Sequence, residues 1–182
     1  MNNIRITSGI YRGRSIKSPA SALTHPMGSR EKLGLFNMIA EYLPGATVLD
    51  AFAGSGALGI EALSRGAQRV IFVENASAAI HAITANCKAL GIAPTQAVLY
   101  RGKVSTFCNE FVLEEGEIRV ILADPPYDDF DLAELNKLPK CLASGGILVL
   151  SHPGSAPPLP ELELQKTRKY AGATISIYSK PE

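Results

Sequence analysis

Long apolar runs are missing from this 182-residue chain. None approaches the roughly 18 residues that cross a bilayer, which excludes a helical membrane protein. The opening segment MNNIRITSGIYRGR has no apolar stretch of the kind a signal peptide carries, so a cytoplasmic protein is expected. Cysteine is scarce: Cys87, Cys108 and Cys141 are the three present, with no CxxC spacing. That excludes a disulfide framework and fits buried free thiols in a reducing compartment. His25 and His152 have no neighbour at metal-ligand spacing, and no metal is expected. A charge excess of one sign is also missing, with 18 Lys+Arg against 17 Asp+Glu. At 46% hydrophobic and 19% charged, the composition is that of an ordinary globular chain, and its length suits one domain.

The near-neutral total conceals a split. Residues 1–32 hold Arg5, Arg12, Arg14, Lys17, Arg30 and Lys32 against Glu31 alone, a net +5, which leaves −4 on the remainder. A basic arm on a mildly acidic body suits a polyanionic partner met through the N-terminus. Solvated charge on a hairpin is the alternative reading of the same pattern.

Strands and helices alternate along the rest. Segments 4–8 and 14–18 flank Tyr11-Arg12-Gly13-Arg14 as a hairpin with glycine in its turn. A helix is expected from Ser29 as N-cap, with Leu33, Phe36, Ala40 and Leu43 on one face, until Pro44-Gly45 stops it. Thr47 to Asp50 reads as a buried strand, followed by a helix that ends at Arg65-Gly66, then a strand from Arg69 to Glu74. Ser77 is the expected cap of a helix with Ile80, Ile83, Cys87 and Leu90 on one side. Strands at 97–100 and 119–123 enclose a helix over 105–113, and a helix broken near Pro139 precedes a strand at 147–150. Segments 161–169 and 172–179 alternate apolar and polar like an antiparallel pair. This order predicts an α/β, Rossmann-like three-layer fold: a mostly parallel seven-stranded sheet with an antiparallel C-terminal edge, plus a small N-terminal β-hairpin extension. The expected organisation is an arm over residues 1–28 and a Rossmann-like domain over 29–182.

The first chemical signal sits where the strand at 47–50 becomes a helix. Asp50-Ala51-Phe52-Ala53-Gly54-Ser55-Gly56 and Gly59 place GxGxxG at that junction, allowing a tight turn, close approach of a ligand to the main chain, and helix-on-sheet packing. Glu74, with Asn75 after it, ends the next strand, where its carboxylate could accept from both ribose hydroxyls of a nucleoside. Glycines serving packing and a glutamate serving as a helix cap are the plainer alternative. Asp50 before the loop and the Phe-Ala-Gly-Ser-Gly run resemble the first motif of Rossmann-like methyltransferases. That resemblance implies S-adenosyl-L-methionine as cofactor, with Ala53 to Gly56 against its methionine part and Glu74 on its ribose.

The second signal is Asp124-Pro125-Pro126-Tyr127, following the apolar strand Val120 to Ala123. The C-terminal end of such a strand borders the ligand crevice of an open parallel sheet. The exocyclic amine of a purine is a poor nucleophile because its lone pair is delocalised into the ring. Hydrogen bonds from its N–H groups to the Asp124 carboxylate and the Pro125 carbonyl would localise that pair toward an incoming methyl. The two prolines hold these acceptors in place, and Tyr127 offers a flat face to an unstacked base.

The ends of the chain narrow the reading. Arg5-Ile6-Thr7-Ser8-Gly9, Arg12-Gly13-Arg14, Thr24-His25-Pro26 with Arg30 and Leu35-Phe36-Asn37, Leu58-Gly59-Ile60-Glu61-Ala62, and Lys169-Tyr170-Ala171-Gly172-Ala173-Thr174 resemble the RsmD family of 16S ribosomal RNA guanine-N2 methyltransferases. The resemblance implies a guanine N2 in 16S RNA as methyl acceptor, met in an assembling or assembled 30S subunit by a monomer. It also implies an arm (Arg5, Arg12, Arg14, Lys17, Arg30) that grips RNA backbone. Arg30 could equally face the cofactor crevice. Two other readings remain at this point: a DNA adenine-N6 methyltransferase, because Asp-Pro-Pro-Tyr serves that chemistry too, and a non-catalytic RNA-binding relic, because Lys103 follows Gly102 where the family often has an acid.

Overall fold

The computed structural model describes residues 3–19, 27–110, 117–170 and 173–182. Thr24-His25-Pro26, the expected helix end at 111–113 and Ala171-Gly172 lie outside the described residues. Two short antiparallel strands, β1 (Asn3–Arg5) and β2 (Ser15–Lys17), pair Ile4 with Ile16. They are shorter than the 4–8 and 14–18 segments because Gly9 and Gly13, both at positive φ, open a wide turn.

Helix α1 (Ser29–Met38) follows, then a 3-10 turn over Ala40–Tyr42. Strand β3 (Thr47–Asp50) leads through the glycine loop into α2 (Ala57–Ser64), and β4 (Arg69–Glu74) into α3 (Ser77–Leu90). Strand β5 (Ala97–Arg101) precedes α4 (Val104–Glu110), and β6 (Ile118–Ala123) precedes α5 (Leu132–Leu135) and a 3-10 turn at Leu138–Cys141. Strands β7 (Ile147–His152), β8 (Glu163–Lys169) and β9 (Thr174–Ser179) complete the chain. Two expected caps are corrected. Gly28 and Ala76 occupy the N-cap positions of α1 and α3, without side-chain bonds, and Ser29 and Ser77 are the first helical residues.

The large sheet has strand order β5-β4-β3-β6-β7-β9-β8. Strands β5, β4, β3, β6 and β7 pair in parallel, while β9 runs antiparallel to both β7 and β8. The order reverses between β3 and β6, and that is where an open α/β sheet leaves its crevice. Alternation along each central strand divides the core between two faces. Val48, Phe72, Leu122 and Val149 pack with α1, α2 and α3, while Leu49, Ile71, Ile121 and Leu148 pack with Phe107 of α4 and Leu135 of α5. Ile4, Ile6 and Ile16 of the arm belong to the first of these clusters, so the hairpin shares its core with the sheet. Cys87 and Cys141 are buried as expected, but Cys108 is only half-buried, its Sγ 3.1 Å from that of Cys141.

Candidate active site

The loop after β3 owes its shape to its glycines. Gly54 and Gly56 have φ of 53° and 80°, the left-handed region that glycine enters without steric cost. A side chain on Gly54 would meet nothing, so its Cα borders open space. The amide of Ala53 donates to the Val73 carbonyl (3.1 Å) and that of Gly56 to the Ala53 carbonyl (2.7 Å), closing the turn. Gly59 serves differently: a methyl there would collide with Phe72 and Val70, so α2 lies directly on β4. Ala53 and Ser55 are buried, and the Ser55 carbonyl accepts from the Asn86 side-chain amide at 2.9 Å.

Asp50 lies behind this loop, 1% exposed, with Oδ2 accepting the Gly59 amide at 2.8 Å. Its Oδ1 has no hydrogen-bond partner among the described residues. Burial pushes its carboxyl up to about 7 against the Gly59 bond, and Asp124 and Glu74 add to the rise. Glu74, at the end of β4, faces the loop from the other side. Its Oε2 accepts from the Gly54 amide and its Oε1 from the amides of Asn75 and Ala76, all at 2.8 Å. A carboxylate has about four lone-pair sites, so about one remains for a ligand hydroxyl. Glu74 therefore fixes Gly54 and opens α3 as well as facing the crevice, and Asn75 is exposed beside it.

The parallel register of β3 with β6 pairs Asp50 with Leu122, and the Ala51 amide donates to the Leu122 carbonyl at 2.9 Å. Asp124, two residues farther along β6, therefore leaves the sheet beside the glycine loop. Burial pushes the Asp124 carboxyl above its ordinary value, while a hydrogen bond with the Ser151 hydroxyl opposes the rise. Pro125 is buried, Pro126 is extended (φ −62°, ψ 128°), and Tyr127 begins a 3-10 turn at 36% exposure. The Tyr127 and Ser151 hydroxyls share a hydrogen bond of 2.6 Å. Burial raises the phenol, with smaller contributions from Asp124 and from Glu31 of α1, which brings the start of α1 to the same side as Tyr127. Ser151 thus holds both the acid and the aromatic of this motif. The motif itself gives no sign of that role; the available clue is that Ser151 is the penultimate residue of the apolar strand β7.

The arm is anchored by buried charge. Glu61 of α2 is fully buried. It accepts from the Thr7 and Ser8 amides (2.9 and 3.1 Å), the Thr7 hydroxyl (2.6 Å) and Arg65 (2.9 Å), and pairs with Lys32 at 3.3 Å. Lys32 also donates to the Arg5 carbonyl at 2.7 Å. Counting Lys32 among the solvent-facing cations of residues 1–32 is thereby corrected, because it neutralises an internal carboxylate. Asn86 of α3 grips Lys17 through its main chain, accepting from the amide (2.9 Å) and donating to the carbonyl (3.0 Å), in addition to its bond to Ser55. Arg5, Arg12, Arg14, Lys17 and Arg30 are all exposed, and Arg14 donates to the Ala89 carbonyl at 3.1 Å. The hairpin turn binds the far end of α2, with Ile10 N donating to Ser64 O at 2.8 Å. Arg12 and Arg14 therefore stand a helix length of about 12 Å from the glycine loop. The fold brings Asp50, Ala53 to Gly56, Glu74, Asn75 and Asp124 to Tyr127 to one crevice, and leaves the tip of the arm outside it.

A glycine loop entering α2, an acid ending β4 and Asp-Pro-Pro-Tyr ending β6, all at the reversal of a seven-stranded sheet, define a Rossmann-like methyltransferase with a site for an S-adenosylmethionine-type cofactor. The family described as Conserved hypothetical protein 95 matches residues 4–179. The chain belongs to that family, in agreement with the RsmD resemblance read from the sequence. YlbH of Bacillus subtilis is 38% identical over 184 residues, covering 97% of this chain and 99% of its own length. Ribosomal RNA small subunit methyltransferase D of Haemophilus influenzae is 35% identical over 131 residues, 72% of this chain and 67% of its own. The solved structure of yhhF from Escherichia coli superposes with a TM-score of 0.85 at 27% identity, covering 99% of each chain.

Proposed function

We propose that the protein transfers a methyl group from S-adenosyl-L-methionine to the exocyclic N2 of a guanine in 16S ribosomal RNA. In this reading it acts as a monomer in the cytoplasm, on the assembling or assembled 30S subunit. One observation carries the proposal: the β3–β6 register that sets Asp124-Pro125-Pro126-Tyr127 beside the glycine loop. The ribosomal RNA substrate is supported by the Haemophilus influenzae relative, named for the small-subunit RNA.

The residues present fit the cofactor. Gly54 leaves the space that a ligand lying on the main chain requires, and Glu74 retains a lone pair toward a ribose. Asp50 keeps an unpartnered oxygen behind the loop, close enough to Asp124 and Glu74 for their charges to raise its carboxyl further. When bound, S-adenosylmethionine supplies an electrophilic methyl on a cationic sulfur. The backbone of Ala53 to Gly56 would hold its methionine part, with Glu74 and Asn75 on the ribose side. Asp124 and the Pro125 carbonyl accept from the guanine N2 hydrogens and turn the lone pair out of conjugation. Ser151 keeps both Asp124 and Tyr127 in place, so the acceptors need little reorganisation. Alignment of this kind supplies on the order of 7–11 kcal/mol.

The test is incubation with labelled S-adenosylmethionine and three acceptors: unmodified 30S particles, naked 16S RNA and duplex DNA, followed by nucleoside analysis. Label in N2-methylguanosine from an RNA arm is the expected result. Label in N6-methyladenine from DNA would replace the proposal with its DNA counterpart, and binding of RNA with no label anywhere would make the chain a relic.

A further inference from the structure

A cleft of about 210 Å³ adjoins Tyr127, and no residue of the glycine loop is among its described lining residues. Its walls include Tyr127, His152, Pro153, Lys169, Tyr170 and Thr174. Asp124 and Pro125 do not line it, so a base lodged there could not present an amine to them. We infer that this cleft is a second nucleotide site, which takes the residue adjoining the acceptor guanosine, its base against Tyr170 and its phosphate on Lys169. The inference rests on the assignment of a guanine to the Tyr127 face.

Charge, position and rigidity support this occupant. Lys169 is exposed at the end of β8 and is the cation among the described lining residues. His152 also lines the cleft: burial holds its imidazole below its ordinary value, and its Nε2 lies 2.9 Å from the Ser176 hydroxyl, itself 2.9 Å from that of Thr167. Lys166 and Arg168 lie on the same strand, every residue of which is exposed, and β8 ends the strand order of the sheet. By register Lys169 shares its sheet face with Thr174 of the cleft, whereas Arg168 and Lys166 pair with Ile175 and Ile177 and project from the other face, so Lys169 alone of the three offers its charge to a phosphate in the cleft. Tyr170 is half-buried against the arm-side core, and a methyl on Gly34 would run into its hydroxyl. Its ring is thus set firmly at the cleft edge, as a stacking surface for a single-stranded base should be. Tyr127 lines the cleft and also ends the Asp-Pro-Pro-Tyr motif, so adjacent nucleotides would occupy its two sides.

The test compares guanosine 5′-monophosphate with the dinucleoside monophosphates GpA, ApG, GpU and UpG. Binding to the full-length protein saturated with S-adenosylhomocysteine is followed by NMR shifts of the tyrosine rings. At least one dinucleotide should bind about tenfold tighter than the mononucleotide, as one charge-assisted phosphate contact allows. Lys169→Gln, at an exposed position, should remove that advantage and leave the affinity for free guanosine, which has no phosphate, unchanged, whereas Lys169→Arg should retain the advantage. Tyr170→Leu should weaken the dinucleotide selectively, and Tyr170→Phe should not. A dinucleotide no tighter than the mononucleotide, or an advantage that survives Lys169→Gln, overturns the inference and spares the guanine assignment. Failure of every guanine probe to bind overturns both.

Discussion

Replacing Glu61 with glutamine should loosen the arm while leaving the methyl-transfer crevice in place. The glutamine keeps the size of the side chain but removes the charge facing Lys32 at 3.3 Å and Arg65 at 2.9 Å. It also sets an N–H₂ group among the Thr7, Ser8 and Arg65 donors that the carboxylate now satisfies. Breaking one side of a buried ion pair costs about 3–5 kcal/mol, because the surviving charge stays buried. For a chain of this size each kcal/mol moves the Tm by about 2–4 °C, so a fall of roughly 6–20 °C is expected. Burial alone would push Glu61 up, yet the Thr7 and Arg65 hydrogen bonds and the attraction of Lys32 hold it below its ordinary 4.5. Its contribution is therefore complete above that value and is lost as the pH falls through the lower folded value. Melting curves from pH 3 to 8 should show the wild type converging on Glu61→Gln at the acid end. Adding Lys32→Met should recover part of the loss, and the double-mutant cycle isolates the pair. A Tm change below about 2 °C at pH 7 would refute the reasoning, since an exposed network would respond that weakly.

Three other outcomes are expected. Asp124→Asn should reduce turnover at least ~100-fold while calorimetry finds S-adenosylmethionine bound about as tightly as by the wild type; loss of binding with normal turnover per bound cofactor would contradict the role given to Asp124. Asp50, raised from 3.8 to about 7, favours folding most below 3.8 and loses that contribution as the pH rises through about 7. Asp50→Asn should then raise the Tm of the cofactor-free protein most at pH 8 and little near pH 4, and a pH-independent difference would rule out the titration. Substituting Arg12 and Arg14 with glutamine should flatten the log–log salt dependence of 16S RNA binding by roughly 1.4–1.8 if each meets a phosphate; an unchanged slope removes the hairpin tip from the interface.

The order of strands and helices was legible because each central strand is a short apolar run and breaks fall at Pro44-Gly45 and Arg65-Gly66. The two motifs were legible because the chemistry is concentrated in a few consecutive residues after a strand. What escaped notice is distant in sequence. Glu61 meets Thr7 across 54 positions, Asn86 meets Lys17 across 69, and Ser151 meets Tyr127 across 24. No local pattern announces a polar group whose partners arrive only with the tertiary fold. Ser29 and Ser77 misled for the opposite reason: both are good cap residues by type, but Gly28 and Ala76 hold the extended conformation that precedes each helix. Lys32 misled because charge counted along a sequence takes no account of burial.

The Asn86 amide clasps Lys17 on one side and the Ser55 carbonyl on the other, so the second strand of the hairpin and the donor-side turn are rivets on a single plate. With Ser64 fastening the hairpin tip as well, the span from Arg12 to Gly54 cannot stretch or shorten independently. The molecule then works as a caliper of fixed opening. Under the proposed function, a polyribonucleotide would satisfy it only if its phosphates rested on one jaw while a flipped-out residue reached the other, and selection of the methylated position would become a matter of measured distance as well as of base identity.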